Sequence, residues 1–219
     1  MKKKIMALAL AFSIVLGCTG CVKVIKIGEE GKYTGKVEFN AADAAANLWE
    51  DAVANIQEKA VDLPTFLTEA NGNLTSLVDK YGKYSMGTSG SISYAVKGTG
   101  VVEEVNQEKK AGYMTVKLDD YDGPEVIKIQ IGSVYKGSST RDTLYIVSFG
   151  DYTNQQEWAA VSQELHNAID ANIIQPADPA SLSGKTIEFV GTFTAEGNDE
   201  LLITADNVAN LKTFVYTEQ

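Results

Sequence analysis

Two cysteines, Cys18 and Cys21, are the only thiols of the chain, and they stand in Cys-x-x-Cys spacing. This spacing occurs in redox couples, in zinc sites and near the processing sites of exported chains. A redox pair normally lies at the N-terminus of a helix beside a sheet, and a structural zinc ion needs four ligands. Here the pair follows an apolar stretch, and the single histidine, His166, is distant in sequence. The pattern therefore disfavours both redox chemistry and zinc binding.

The residues before the cysteines have the layout of a secretory signal peptide. Lys2, Lys3 and Lys4 give a positive start, residues 5–16 are apolar apart from Ser13, and small residues lead to the cysteines. The apolar run is shorter than the about 20 residues that a membrane-spanning helix needs. We therefore expect residues 1–20 to be a lipoprotein signal peptide that is removed on export.

The end of this signal resembles a bacterial lipobox, in which a cysteine receives a diacylglycerol group. The sequence VLGC would direct lipidation to Cys18, and CTGC would direct it to Cys21. Cleavage before Cys18 would leave Cys21 as a free thiol in an oxidising compartment, whereas cleavage before Cys21 removes Cys18. We therefore predict lipidation at Cys21, with Cys18 as the alternative, and attachment to the membrane through N-terminal acyl chains.

The charge of the chain limits its partners. It has 19 basic and 29 acidic residues and a net charge of −10. Loss of residues 1–20 removes three lysines and no acid, so the net charge of −10 becomes −13. Such a surface repels nucleic-acid phosphates and anionic lipid headgroups. We expect no nucleic-acid partner and a location in the cell envelope, at the periplasmic face or on the outer surface of the cytoplasmic membrane.

Three further patterns each have a simple structural interpretation. His166 lies beside the apolar stripe of a helical pattern, with no Ser or Cys partner indicated by spacing. The acidic run at 119–123, DDYDG, lacks the spacing of a calcium loop and is typical of a turn. The glycines at 98–100 lack the setting of a nucleotide-binding loop. We therefore predict no enzyme activity, no cofactor and no metal site, with a carboxylate-based glycan-acting enzyme as an alternative.

The elements that must position any site begin with a tether. Residues 21–39 are predicted to be a lipid-anchored tether with a short extended segment, and residues 40–84 a helical subdomain. Asn40 is a good helix cap. Apolar residues then recur at spacings of three and four: Leu48, Trp49, Ala52, Val53, Ile56 and Ala60. Pro64 interrupts this helix, and two shorter helices follow in LPTFLTEA and NLTSLVDKYG.

From about residue 89 the apolar period changes to two, which is typical of strands. The predicted strands are ISYAVKGTGVVEEV, YMTVKLDD, EVIKIQIG, DTLYIVSF, KTIEFVGTF and LLITADNVANLKTFVY. Gly98 and Gly100 indicate a bulge or sharp coil in the first of them. DTLYIVSF is apolar on both faces and is predicted to be a buried strand. One helix, capped by Asn154, separates the early strands from the late ones.

This order of elements predicts an α+β chain with an OB-like β-barrel over residues 85–219. About five to seven strands, with one helix between early and late strands, match that small, partly open barrel. An immunoglobulin-like sandwich would need more strands and no such helix.

Three stretches carry a resemblance to a known family: CVKVIKIGEEG, IGSVYKGSSTRDTLYIVSFGDYTNQQEW and LSGKTIEFVGTFT. They resemble a family of predicted periplasmic bacterial lipoproteins of unknown function, over nearly the whole mature chain. The most specific parts are Arg141-Asp142 and Asn154-Gln155. The resemblance implies an OB-like barrel with a helical subdomain, lipidation at Cys21 and frequent encoding beside sugar ABC importers. The resemblance implies no catalytic residues.

Arg141, Asp142, Asn154 and Gln155 are the candidate ligand- or partner-binding residues. They bracket the predicted strand DTLYIVSF, and we hypothesise that they face one open rim. Arginine and amide side chains suit hydroxyl-rich or carboxylate ligands. In the structural alternative, Arg141 pairs with a carboxylate, Asp142 closes a turn and Asn154 caps a helix.

The sequence predicts a lipid-anchored binding or accessory module, and the resemblance implies an association with solute import, with sugar importer components or a small polar ligand as partners. The alternatives are the glycan-acting enzyme and a structural or protein-scaffold lipoprotein with no small ligand.

Overall fold

The structure, a computed structural model, describes residues 39–195 and the backbone of residues 212–213. The predicted signal peptide, both cysteines, residues 21–38 of the tether and most of the predicted last strand lie outside the described residues. Within the described residues the chain is α+β, as predicted, with helices before the sheet and between its strands.

The first helices form where their caps predict them. Helix α1 spans Ala41–Lys59, and the Asn40 side chain accepts hydrogen bonds from two backbone amides of its first turn. A two-residue strand, β1 (Val61–Asp62), leads to helix α2 (Leu63–Ala70). Asp62 caps α2 and a proline lies in its first turn, where a missing amide proton is harmless. Local sequence therefore determines these boundaries.

The remaining elements follow in chain order. A 3-10 turn (Leu74–Leu77) leads to helix α3 (Val78–Tyr81). The strands are β2 (Gly82–Tyr84), β3 (Ile92–Asn106), β4 (Tyr113–Leu118), β5 (Ile127–Gln130), β6 (Thr186–Ala195) and β7 (Lys212–Thr213). Between β5 and β6 lie α4 (Ser139–Thr143), a 3-10 turn (Phe149–Asp151), α5 (Gln155–Ile169), a π-helical turn (Asp170–Ile174), α6 (Gln175–Ala177) and a 3-10 turn (Pro179–Ser181).

Strand pairing confirms the predicted OB-like topology. Strands β3, β4 and β5 form an antiparallel meander. After helix α5, strand β6 returns and pairs antiparallel with the first part of β3, while β7 pairs parallel with β5. Three meandering strands, a helix and two returning strands are the elements of a five-stranded Greek-key barrel. The short strands β1 and β2 extend the sheet along β3.

The glycines of β3 permit close approach rather than a bulge. The register shift between β3 and β4 lies at Val102–Glu104, beyond the two glycines for which the sequence predicted it. A Cβ atom on Gly100 would clash with the carbonyl oxygen of Lys117 and lie 2.8 Å from Cγ1 of Val116. Gly100 therefore lets the backbone of β4 pack directly against β3.

We expect Gly100→Ala to lower the free energy of unfolding by about 1–3 kcal/mol, because the added methyl group overpacks a backbone contact. Gly150→Ala is the matched control, since its Cβ would meet only the Ser148 hydroxyl, at 3.7 Å. Urea denaturation of both variants measures the difference. Equal stability of the two variants would contradict a close approach at Gly100.

The predicted helical segment 40–84 contributes directly to the core of the barrel. Phe66 of α2 lies edge-on to Tyr94 of β3 and Phe193 of β6, with ring centroids 4.8 and 5.5 Å away. All three rings are fully or almost fully buried. A second apolar cluster joins α1 to α5 and the segment before it: Ala45, Ala52, Leu144, Val147, Trp158, Val161 and Leu165. The helices therefore complete the core rather than pack beside it.

The prediction that DTLYIVSF forms a buried strand is wrong. Helix α4 ends at Thr143, and in the loop that follows, Leu144 and Val147 are buried while Tyr145 and Ile146 are exposed by 51% and 46%. The backbone of this loop bonds to side chains instead of pairing with the backbone of a neighbouring strand. The Lys83 ammonium donates to the carbonyls of Leu144 and Val147, and Asn55 accepts from the Tyr145 amide. Local apolar content could not reveal these distant partners.

Candidate functional site

Arg141 and Asp142 form a buried ion pair. They are exposed by only 7% and 5%. The Nε and Nη2 atoms of Arg141 donate to Oδ1 of Asp142, at 2.9 and 2.6 Å. Its Nη1 atom donates to the carbonyl oxygen of Trp158 at 2.9 Å, and the guanidinium carbon lies 4.2 Å from the centroid of the Trp158 ring. The guanidinium is therefore engaged by the protein itself, as the structural alternative expected.

The pair belongs to a polar helical turn that is buried against β6. All five residues of α4 are buried. The hydroxyls of Ser139 and Thr140 lie 3.0 and 3.2 Å from the hydroxyl of Thr192, and Thr143 donates to the Ser139 carbonyl. Buried polar groups are tolerated where they are hydrogen-bonded in this way. The network fixes the position of Asp142 in the fold.

The charged side chains of Arg141, Asp142 and Lys83 lie close enough to influence one another. Burial raises the pKa of Asp142, and the positive charges of Arg141 and Lys83 oppose that rise. Burial likewise lowers the pKa of Lys83, and the negative charge of Asp142 opposes that change. The opposite charge of a neighbouring side chain therefore favours the ionised form of both Asp142 and Lys83 in this buried environment.

A polar cavity of about 200 Å³ opens beside Asp142. The polar residues that line it are Ser91, Lys136, Ser138, Ser139, Asp142 and Thr194. Oδ1 of Asp142 accepts both bonds from Arg141, and no residue that the structure describes donates to Oδ2. The cavity therefore combines a carboxylate of fixed position with several hydroxyl groups.

The structure does not bring the four candidate residues together on one rim. Asp142 alone lines the cavity. Asn154 caps α5, where its side chain accepts from the amides of Gln156 and Glu157, both at 2.9 Å. Gln155 is exposed on the first turn of that helix. Arg141 faces Trp158, so its role here is to hold Asp142.

Few sequence signals indicated the other residues that line the cavity. Ser91 and Thr194 are 103 positions apart, and the pairing of Ile92 with Ala195 at the ends of β3 and β6 brings them close. The polar run GSS at 137–139 was visible, but it resembles any surface loop. Only the register of β3 with β6 brings Ser91 and Thr194 together.

Two other cavities are weaker candidates. One of about 380 Å³ lies at the turn between β4 and β5, and of its three acids Glu103 and Asp122 are exposed, while the half-buried Glu125 accepts a hydrogen bond from the Tyr121 hydroxyl. Exposed charges are solvated, mobile and screened, so they offer little preorganised binding. The other, between α1, α5 and β6, is apolar and only about 40 Å³. Among the described residues no cluster of His, Cys, Asp and Glu could hold a metal ion.

His166 occupies a structural position in the interior. It is 6% exposed and stacks on the Tyr135 ring, with centroids 5.0 Å apart. Burial, and to a smaller extent the positive charge of Arg141, lowers the pKa of His166 to about 4. The imidazole is therefore neutral at physiological pH.

We expect the protein to lose stability as the pH falls from about 6.5 towards 4. In this range the unfolded chain protonates His166 and the folded chain does not, so unfolding takes up a proton. The resulting decrease in the free energy of unfolding should approach roughly 3 kcal/mol near pH 4. The raised pKa of Asp142 acts in the opposite direction. Urea denaturation at several pH values should show a shallower pH dependence for His166→Gln, and an unchanged dependence would contradict the assignment.

Comparison with known proteins agrees with this architecture. The chain is similar to an OB-fold protein from Thermotoga maritima with a solved crystal structure, with 16% identity and a TM-score of 0.64. The match covers 83% of this chain and 99% of that one. At this identity the likeness establishes the OB fold alone. A comparison with curated proteins gives no match.

The family comparison covers most of the chain. No helix among residues 39–195 is long and apolar enough to cross a membrane. A family model described as "Predicted periplasmic lipoprotein (DUF2291)" matches residues 11–205, from within the predicted signal peptide to beyond β6. Both the resemblance of the three quoted stretches and the predicted OB fold are thereby confirmed. The chain belongs to this family of predicted periplasmic lipoproteins.

Proposed function

We propose that the protein is a lipid-anchored accessory module of the cell envelope that binds a small polar ligand in the cavity beside Asp142 and serves a sugar ABC importer without catalysis. The observation that carries the proposal is the cavity itself, in which hydroxyl groups surround a carboxylate of fixed position.

The rigidity of this carboxylate favours binding. Arg141 holds Oδ1 of Asp142 with two hydrogen bonds, so the side chain loses little conformational freedom when a ligand arrives. Such preorganisation raises affinity because the ordering cost is met during folding. The cavity is smaller than the roughly 300–1,000 Å³ of drug-sized sites. A single small polar molecule therefore fits it better than an oligomer or a bulky cofactor.

A lipid anchor fits an accessory role. Family membership makes the chain an exported envelope protein, and acylation at Cys21 would hold it at the membrane surface where an importer opens. The module could therefore reach an importer while its acidic surface stays in solvent.

The residues that line the cavity favour ligand binding over glycan hydrolysis. Hydrolysis of a glycosidic bond generally needs two carboxyl groups on opposite sides of that bond. Asp142 is the one carboxylate among the residues that line the cavity, and both bonds from Arg141 go to its Oδ1 atom. This arrangement supports a binding site more readily than an acid–nucleophile pair.

A thermal-shift screen of the mature acylated protein in detergent tests the proposal. The panel contains sugars, nucleosides and divalent ions, and a specific ligand raises the melting temperature by mass action. Thr194→Val, which removes a hydroxyl from the cavity, should abolish the response to the ligand. Thr68→Val, on the exposed side of α2, is the matched control and should respond like the wild type.

Growth on single sugars, with and without the gene for this protein, tests the accessory role. We expect slower growth on the sugar that gives the thermal shift. No response to any compound, together with unchanged growth of the deletion strain, would refute the proposed function.

A further inference from the structure

We infer that the cavity beside Asp142 selects a neutral, hydroxyl-rich ligand and excludes ligands that carry a carboxylate or phosphate. This inference rests on the proposed function, because it defines the ligand class of the same site. It reverses the expectation from sequence, where Arg141 pointed equally to carboxylate ligands.

The guanidinium of Arg141 is not available to a ligand in the cavity. An arginine beside a polar cavity would normally indicate anion binding, because its planar fork matches carboxylates and phosphates. Here the Nε and Nη2 atoms of Arg141 donate to Asp142 and Nη1 donates to the Trp158 carbonyl. The Trp158 ring covers the guanidinium, and Arg141 is not among the residues that line the cavity. Its positive charge is used to hold Asp142.

Asp142 retains one oxygen, Oδ2, that can accept a hydrogen bond from a ligand. Oδ2 of Asp142 receives no hydrogen bond from any described residue, and an ionised carboxylate can only accept. A ligand at this position must therefore bring a donor. A carboxylate or phosphate brings no donor for Oδ2. Arg141 and Lys83 offset the charge of Asp142, but neither lines the cavity, so an anion would lose its hydration without a hydrogen bond from either cation.

The lysines near the cavity do not reverse this preference. Lys136 is exposed, so solvent and salt screen its charge more strongly than that of Asp142. Lys83 donates to the carbonyls of Leu144 and Val147 and does not line the cavity. Because Asp142 is already paired with Arg141, a cationic ligand would lose its hydration without meeting an unpaired counter-charge. Neutral donors are therefore the favoured class.

The hydroxyl groups of the cavity match such a ligand. Ser91 bonds to the Ser85 hydroxyl at 3.1 Å, and Thr194 lies 3.2 Å from the Ser93 hydroxyl. A hydroxyl can donate once and accept twice, so each retains capacity for another bond. A molecule with several adjacent hydroxyls can satisfy these groups and donate to Asp142 at the same time.

Matched sugars test the charge preference directly. Neutral aldopentoses and aldohexoses are compared with their carboxylate, phosphate and amine-bearing counterparts, by calorimetric titration of the mature acylated protein in detergent. We expect at least one neutral sugar to bind, and its anionic counterparts to bind at least tenfold more weakly. Equal or tighter binding of an anion, preference for an amine, or no binding of any neutral sugar would overturn the inference.

Two variants assign the preference to Asp142. Asp142→Asn keeps the shape and removes the charge, so the ratio of neutral to anionic affinity should fall at least tenfold. If this variant does not fold, the double variant Arg141→Met/Asp142→Asn removes both charges and allows the same comparison. A structural role alone would weaken all sugars equally and leave the ratio unchanged.

The two proposals can fail separately. An anionic ligand whose binding is lost in Thr194→Val would overturn the inference and leave the proposed function intact. No binding by any compound, with unchanged growth of the deletion strain, would remove both.

Discussion

Arg141→Met should lower the free energy of unfolding by about 3–5 kcal/mol, because it leaves the carboxylate of Asp142 buried without its partner. Asp142 is 5% exposed, and the two hydrogen bonds to its Oδ1 atom both come from Arg141. The substitution also removes the bond to the Trp158 carbonyl. Urea denaturation followed by tryptophan fluorescence measures the change, since Trp158 lies against the guanidinium.

A double-mutant cycle distinguishes the lost pair from lost packing. Arg141→Met/Asp142→Asn should be more stable than Arg141→Met alone, because no buried charge remains unpaired. Lys80→Met is a matched control for an exposed ion pair, since Lys80 lies 2.7 Å from Glu69 at the surface. It should change stability little, because solvent screens such pairs. If Arg141→Met were no more destabilising than Lys80→Met, the buried pair would not stabilise the fold.

Cys21→Ser should release the protein from the membrane or leave it as an unprocessed precursor, because serine cannot form the thioether that carries the diacylglycerol. A single acylated cysteine is the whole predicted anchor, so the expected effect is loss of nearly all the membrane-bound, processed form. Fractionation of cells followed by immunoblotting measures both location and size. Mass spectrometry of the N-terminal peptide identifies the acylated residue in the wild type.

Cys18→Ser is the matched control for this experiment. If cleavage occurs before Cys21, Cys18 is discarded with the signal peptide, so its substitution should leave processing and anchoring largely intact. The opposite result, with anchoring lost in Cys18→Ser and kept in Cys21→Ser, would assign the lipid to Cys18. A mature protein whose first residue is neither cysteine would refute lipidation.

The sequence alone determined those features that depend on neighbouring residues. Asn40 and Asn154 cap helices because an amide oxygen three residues or fewer from the free backbone amides can reach them. Met114, Val116 and Leu118 alternate along β4 and are all buried, because successive side chains of a strand point to opposite faces. The order of such elements was sufficient to predict the OB fold.

The candidate site depends on contacts that only the tertiary structure provides. TLYIVSF has the composition of a buried strand, yet Lys83 and Asn55, 61 and 90 positions before their partners, hold the segment as a loop. Arg141 and Asp142 are adjacent in sequence, but whether they face a ligand or each other depends on Trp158 and the burial of α4.

Ser91 and Thr194 meet beside Asp142 only through the register of β3 with β6. Backbone propensity and periodicity act over a few residues, so they can be recognised in the local sequence. Long-range register and burial arise from packing of the whole chain, and they decide which of its many polar side chains share one cavity.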